Sequence, residues 1–442
     1  MGLPRAYDAD EGDESATGSA SDGGLGRREF VKAAVAIGGA SALSACLDRF
    51  GSPSVATGVE NPGSLPERQH AWDDVLSRDD HGNVVPPRHH LLLLLDYPSD
   101  GTPAASDRET VAGALDDLER AYARGNDGLV FTVGYSPAYF ERFDESLPDS
   151  VDLPAPRALS SFEDPDLDTP DALVHLASDH GSVVLAAEEA LFGAGEANGV
   201  SVRSVADVFE RVDRRTGFIG EGLPAKNQDV DGIPDSKPVP EEAPMFMGYK
   251  TGFEKNQATE DRVTIDSGPF AGGTTQHASK LHLRLEDWYG EQDEDDRVAE
   301  IFCPVHAAEG RVEGVGENLG DDNGVGEDCV ENVEAHAREY GRVGHAQKAA
   351  RTREDGRPVI LRRDFDSTDG GRAGVHFVSL QRGIGDFVKT REAMNGSDLT
   401  DAPAVSQRVN NGILEYIFVK HRGNYLLPPR PLRALPPADP SA

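Results

Sequence analysis

The sequence predicts an α+β fold made of two ferredoxin-like units, in the manner of a dimeric α/β-barrel. Residues 88 to 219 read strand, helix, strand, strand, helix, strand, which is the element order of a ferredoxin-like unit. A second set of strands and helices runs from His277 to Leu427, matching the first in element order but not in residues. At 442 residues the chain is long enough for one large or two ordinary domains, each with a full core. The expected division is 1–46 leader, 47–87 disordered linker, 88–245 first unit, 246–430 second unit and 431–442 tail.

The first unit opens with Arg88 to Tyr97, whose unbroken apolar run Leu91–Leu95 reads as a strand buried on both faces. An amphipathic helix follows, with Val111, Leu115, Leu118 and Ala121 on one side. Gly128–Tyr135 is the second strand and runs into a helix start at Ser136-Pro137. Ala172–Leu176 is the third strand. Ser182–Phe192 is a second helix capped by its serine, and the stretch from Val200 to Ile219 contains the fourth strand.

A polar loop from Pro224 to Pro244 leads into the second unit. Its first strand spans His277 to Leu285 and closes in Glu286-Asp287-Trp288. A helix is expected from Asp296 to Phe302, then a long acidic region from Cys303 to Ser367. The strand Gly374–Arg382, helices at Ile384–Ala393 and Val405–His421, and a last strand at Tyr425–Leu427 complete it.

Residues 1 to 25 are acidic and rich in Gly and Ser, a composition that stays disordered. Arg27-Arg28-Glu29-Phe30 and the Ala/Gly-rich run Ala33–Ala45 are similar to a twin-arginine export signal. The run is too short and too weakly apolar to span a bilayer. It ends in Leu43-Ser44-Ala45-Cys46, which resembles a lipobox with Cys46 as the lipidated residue. Export by the twin-arginine machinery and anchoring on the outer face of the cell membrane are the expectation, with residues 47 to 87 as the tether.

Acidic residues number 78 against 43 basic ones, a net charge of −35. That balance argues against a nucleic-acid partner, which needs basic patches. The acid is spread along the chain and Arg is preferred to Lys. Together these read as the solvated surface of a protein from brine or a high-salt cytoplasm.

Chemistry concentrates between Gly344 and Asp364. His345 sits on a run of small residues, a turn follows at Glu354-Asp355-Gly356, and an apolar strand then ends in Arg362-Arg363-Asp364. His345 and Arg362 are seventeen positions apart, room for a helical turn, a loop and a strand to bring both to one pocket. Neutral imidazole is a good iron ligand, and guanidinium suits an anion or a polarised oxygen. Side chains alternate along a strand, so Arg362 and Asp364 should share a face, with Arg363 turned away. Taken alone, such a histidine is more often an ordinary surface residue.

The stretch resembles the haem-binding segment of the dye-decolourising (DyP-type) peroxidases, in which a proximal His is followed at this spacing by a strand carrying the distal Arg. The resemblance extends from about Arg88 to Pro429. It includes Phe131-Thr132-Val133-Gly134-Tyr135-Ser136, the strand Gly374–Arg382, and the segments Leu414-Glu415-Tyr416-Ile417 and Gly423–Pro429. It implies haem b held by His345, a haem propionate on Arg363 if that residue does not turn away, hydrogen peroxide bound near Arg362, and an organic reductant as electron source. It also implies that Glu415 accepts the N–H of the ligating imidazole. One departure stands out. Gly248-Tyr249-Lys250-Thr251-Gly252 lies where the family carries Gly-x-x-Asp-Gly, so Thr251 replaces a distal carboxylate that moves a proton. Asp364 is the substitute relay this sequence offers, and a strand-end pair with Arg363 is its other reading.

With Cys46 assigned to lipid, Cys303 and Cys329 remain and read as a disulfide outside the cell. Cys303-x-x-His306 and Cys329 with His336 also make a four-ligand set for a metal. His336 competes with His345 as an iron ligand but lies too far from Arg362 for the family spacing. Two further function classes stay open: a haem-binding or haem-transfer lipoprotein without turnover, and a haem-free lipoprotein that keeps only the fold.

Overall fold

Five consecutive leucines set the architecture. Side chains alternate across a strand, so an unbroken apolar run needs burial on both faces. The computed structural model, which describes residues 54–193 and 195–441, supplies both. Leu91, Leu93 and Leu95 pack against Val111, Leu115 and Leu118 in one core. Leu92 and Leu94 enter a second core with Phe365, Leu380 and Tyr425.

The first half of the chain supplies β1 (His89–Asp96), α1 (Ala105–Ala121), β2 (Val130–Tyr135), β3 (Ala172–Ser178), α2 (Gly181–Phe192) and β4 (Glu210–Phe218). In the second half β5 (Thr274–Leu283) is followed by α3 (Glu294–Ile301), α4 (Pro304–Ala308), α5 (Glu327–Glu331), α6 (Val333–Glu339) and α7 (His345–Ala349). Then come β6 (Leu361–Arg362), β7 (Phe365–Ser367), β8 (Gly374–Gln381), α8 (Ile384–Asn395) and β9 (Ile417–Leu427).

Strand order is β4-β1-β3-β2 in one half and β9-β5-β8 in the other, antiparallel throughout. Leu426 of β9 pairs with Tyr135 of β2, and β7 pairs with both β4 and β8. The strands therefore close into an antiparallel barrel, and β6 hangs from β8 through Ser379 and Arg362. Closure between β4 and β7 depends on Gly217. A Cβ there would lie 2.0 Å from the Asp366 carbonyl oxygen and 2.4 Å from the Phe365 ring.

Several local expectations are corrected. The helix expected at Val405–His421 is absent. Asn410 (φ 56°) and Gly412 (φ 61°) adopt left-handed backbone there, a one-turn 3-10 helix spans Gly412–Glu415, and Ile417 already pairs with Leu283 of β5. Helix α2 begins at Gly181 rather than at a Ser182 cap, and the Ser178 hydroxyl accepts from the His180 N–H at its start.

The described part of the expected linker is packed. Trp72 is 1% exposed, and the Gln69 amide bonds Val133 on both its N–H and its carbonyl, and Pro428. Burying one large aromatic contributes about 3 kcal/mol to holding this segment, which composition alone conceals. The tail is likewise tied down: Leu435 is buried, and the hydroxyls of Tyr135 and Tyr139 donate to the carbonyls of Arg433 and Pro436.

Candidate functional site

Helix α7 is short, and its first residue is His345. Its seat is set by Gly344, where a Cβ would lie 2.0 Å from the Phe302 carbonyl oxygen. Gln347 closes the turn: its N–H donates to that same carbonyl (3.1 Å) and its side-chain oxygen accepts from Gly344 N–H (3.0 Å).

So held, His345 lines a cavity of about 240 Å³. The walls are mostly apolar, from Leu281 and Leu283 of β5, Val375 and Phe377 of β8, Phe302 and Met247. Burial pushes the His345 imidazole down to about 3, and the charges of Arg362, Lys348 and Arg391 act in the same direction. The ring is therefore neutral, and neither nitrogen has a hydrogen-bond partner among the described residues.

Arg362, Asp364 and Asp366 line the same cavity, as the period-2 geometry of an extended segment requires. Gln257 clamps the Arg362 backbone, accepting from its N–H (3.1 Å) and donating to its carbonyl (3.3 Å). The Arg362 guanidinium donates to the Thr251 hydroxyl at 3.1 Å and lies 3.8 Å from the Asp364 carboxylate. Asp366 is fully buried. Its Oδ2 accepts from Phe246 N–H at 2.6 Å, and its Oδ1 has no partner. Burial, with the Asp364 charge adding to it, holds the Asp366 carboxyl well above the usual carboxylate range. An adjoining cavity of about 490 Å³ shares Lys250, Thr251, Arg362 and Asp364 in its lining.

Other singled-out residues lie elsewhere. Arg363 lines the adjoining cavity, donates to Glu260 (2.8 Å) and to the His70 carbonyl (2.7 Å), and stacks over Trp72 at 4.1 Å. The Glu415 carboxylate sits 3.6 Å from Arg284 and is not brought to the His345 ring. His336 is in α6, away from the cavity, beside the disulfide formed by Cys303 and Cys329. Cys46 and the paired Arg27-Arg28 fall outside the described residues.

Residues 87–429 match a family described as "Family of unknown function (DUF7405)". The chain belongs to this family. No curated protein matches it. Among solved structures, the DUF7405 chain is similar to a dye-decolorizing protein from V. cholerae. Identity is 14% and the TM-score 0.50, over 82% of this chain and 98% of that one. DyPB from Rhodococcus jostii RHA1 aligns at 14% identity and TM-score 0.49, over 80% and 96% of the two chains. The encapsulated DyP-type peroxidase from Mycobacterium smegmatis aligns at 15% and 0.47, over 80% and 96%. The likeness to the V. cholerae protein is one of fold: mixed helices and strands around an antiparallel barrel.

The donor set of this DUF7405 chain suits haem. A neutral, unpartnered imidazole faces an apolar cavity, and Arg353 adds positive charge to the lining for a carboxylate group, while Arg391 is paired with Glu163 at 3.2 Å. Sequence reasoning missed Asp366. The signal was present, because the parity that puts Arg362 and Asp364 on one side puts Asp366 there as well.

Proposed function

We propose that this protein is a haem-dependent peroxidase of the DyP type that reduces hydrogen peroxide with electrons from an organic reductant. The observation that carries the reading is one cavity holding a neutral histidine without a partner and a guanidinium held by a threonine hydroxyl. Bound there, haem b supplies the iron chemistry that splits the O–O bond.

The chain's own residues bind, orient and move protons. His345 would offer its lone pair to the iron, and Arg353 would take a haem carboxylate. Arg362, positioned by Gln257 and Thr251, places fixed positive charge where negative charge develops on a peroxide oxygen. Asp364 accepts and returns the peroxide proton in place of the carboxylate that Thr251 lacks. Asp366, whose neutral form burial favours, keeps its unpartnered Oδ1 in the same wall.

The strand orders β4-β1-β3-β2 and β9-β5-β8-β7 support reading residues 88–245 and 246–430 as two ferredoxin-like units. Export by the twin-arginine pathway and lipidation at Cys46, with the protein on the outer face of the membrane, belong to the same proposal. Among the described residues no helix is long and apolar enough to cross a membrane.

A second reading, haem binding or transfer without turnover, draws support from Thr251, because a hydroxyl does not ionise at neutral pH. Haem-loaded protein given hydrogen peroxide and an organic dye separates the two. Dye oxidation that depends on peroxide is the expected result. Intact haem absorbance without turnover selects the carrier, and failure to retain haem removes both.

A further inference from the structure

Cys303 and Cys329 form a buried disulfide with Cα atoms 6.3 Å apart. Two imidazoles aim at it. His306 Nδ1 lies 3.8 Å from the Cys329 sulfur, and His336 Nδ1 lies 4.0 Å from the Cys303 sulfur. Hydrogen bonds settle which nitrogen of each ring holds the lone pair. His306 Nε2 is 3.1 Å from the Asn323 carbonyl oxygen. A carbonyl only accepts, so Nε2 carries the proton and Nδ1 the lone pair. His336 Nδ1 accepts from the Gln347 amide at 2.9 Å. That amide is oriented by its second donation, to the Cys329 carbonyl (2.6 Å), and by Gly344 N–H on its oxygen (3.0 Å).

The His306 lone pair therefore faces the sulfur pair, while that of His336, on a nitrogen 4.0 Å from the Cys303 sulfur, is held by the Gln347 amide. A disulfide has no proton to give, so the His306 lone pair does nothing for the oxidised form. Two thiolates at the same place complete a Cys₂His₂ set, the donor set of tetrahedral zinc. A His that donates its far N–H to a backbone carbonyl is also the arrangement that orients a ligating imidazole. The donor atoms of Cys303, His306 and Cys329 already lie within 4.8 Å of one another.

We propose that reduction of the Cys303–Cys329 disulfide converts this cluster into a buried zinc site with Cys303, His306, Cys329 and His336 as ligands. A dithiol reductant supplies two electrons and two protons, giving two cysteine thiols and becoming a disulfide itself. Zn²⁺ then binds as the two thiols release their protons and the S–Zn bonds form. His336 exchanges its hydrogen bond from Gln347 for the metal, while Gln347 keeps the Cys329 carbonyl. Cys303 and His306 bracket the first turn of α4, Cys329 lies in α5 and His336 in α6, so the ion replaces the disulfide as the tie between these short helices. The site is one residue pair away from the cavity, since Gln347 belongs to the helix that begins with His345.

The test uses the full-length protein, oxidised or reduced with a phosphine, titrated with Co²⁺ as a visible stand-in for zinc. Reduced protein should take up one Co²⁺ per chain, with tetrahedral d–d bands and thiolate-to-metal charge transfer, and Zn²⁺ should displace it. Oxidised protein should show neither band. His306→Ala should weaken Co²⁺ binding by at least ~10-fold while the reduced thiols remain. Absence of the charge-transfer band in reduced wild type overturns the proposal, whatever the variant does. So does equal binding by oxidised protein, or by His306→Ala. None of these readouts involves haem or peroxide, so the site stands or falls apart from the peroxidase reading.

Discussion

Arg362 donates a hydrogen bond from its guanidinium to the Thr251 hydroxyl across 3.1 Å. A neutral acceptor leaves the positive charge of Arg362 largely uncompensated, with the Asp364 carboxylate 3.8 Å away as a partial partner. Thr251→Asp turns this contact into an ion pair with both partners charged and adds a proton carrier. In rapid-mixing experiments the variant should react with peroxide as fast as wild type or faster. Asp364→Asn should be slower by about 100-fold, the usual weight of one general acid–base group. A wild-type rate in Asp364→Asn shows that the relay lies elsewhere.

Asp366 carries a different expectation because burial favours its neutral form. Its Oδ2 holds the Phe246 N–H, and an asparagine oxygen can do the same. Asp366→Asn should therefore keep unfolding stability within ~1 kcal/mol of wild type in a urea titration. A loss of several kcal/mol would mean that the native group is charged and paired.

Much of this arrangement is legible in the sequence. The doubly buried strand follows from Leu91–Leu95, and the shared face of Arg362 and Asp364 follows from alternation. What is not legible depends on single residues with outsized effects. Trp72 anchors a segment whose composition reads as a tether. The left-handed backbone at Asn410 and Gly412 interrupts a stretch that the sequence reads as helix. Glu415 lies where the family resemblance places an imidazole acceptor, yet its carboxylate meets Arg284. Pairing of charges across the fold has no signature in local spacing.

Glu300, 1% exposed and 3.9 Å from Arg342, makes stability depend on pH. Burial pushes its carboxyl up from 4.5 to about 7. The folded state thus binds more protons than the unfolded state between these values, and stability falls as pH rises from about 4.5 to 7. Glu300→Gln should remove that fall and gain up to ~3 kcal/mol above pH 7. Parallel stability-against-pH curves for variant and wild type would contradict this.

Export gives a prediction independent of the cavity. Replacing Arg27 and Arg28 together by Lys should retain the protein in the cytoplasm, and Cys46→Ser should release it into the medium. Fractionation of cells expressing each variant reads the outcome. Equal surface anchoring of both removes the export and lipid proposal.

The most direct test of the central claim is the absorption spectrum of the purified protein expressed with haem available. Wild type should show a Soret band, His336→Ala should keep it, and His345→Ala should lose most of it. A wild-type spectrum without that band, or a band undiminished in His345→Ala, would contradict the assignment of this cavity as a haem site.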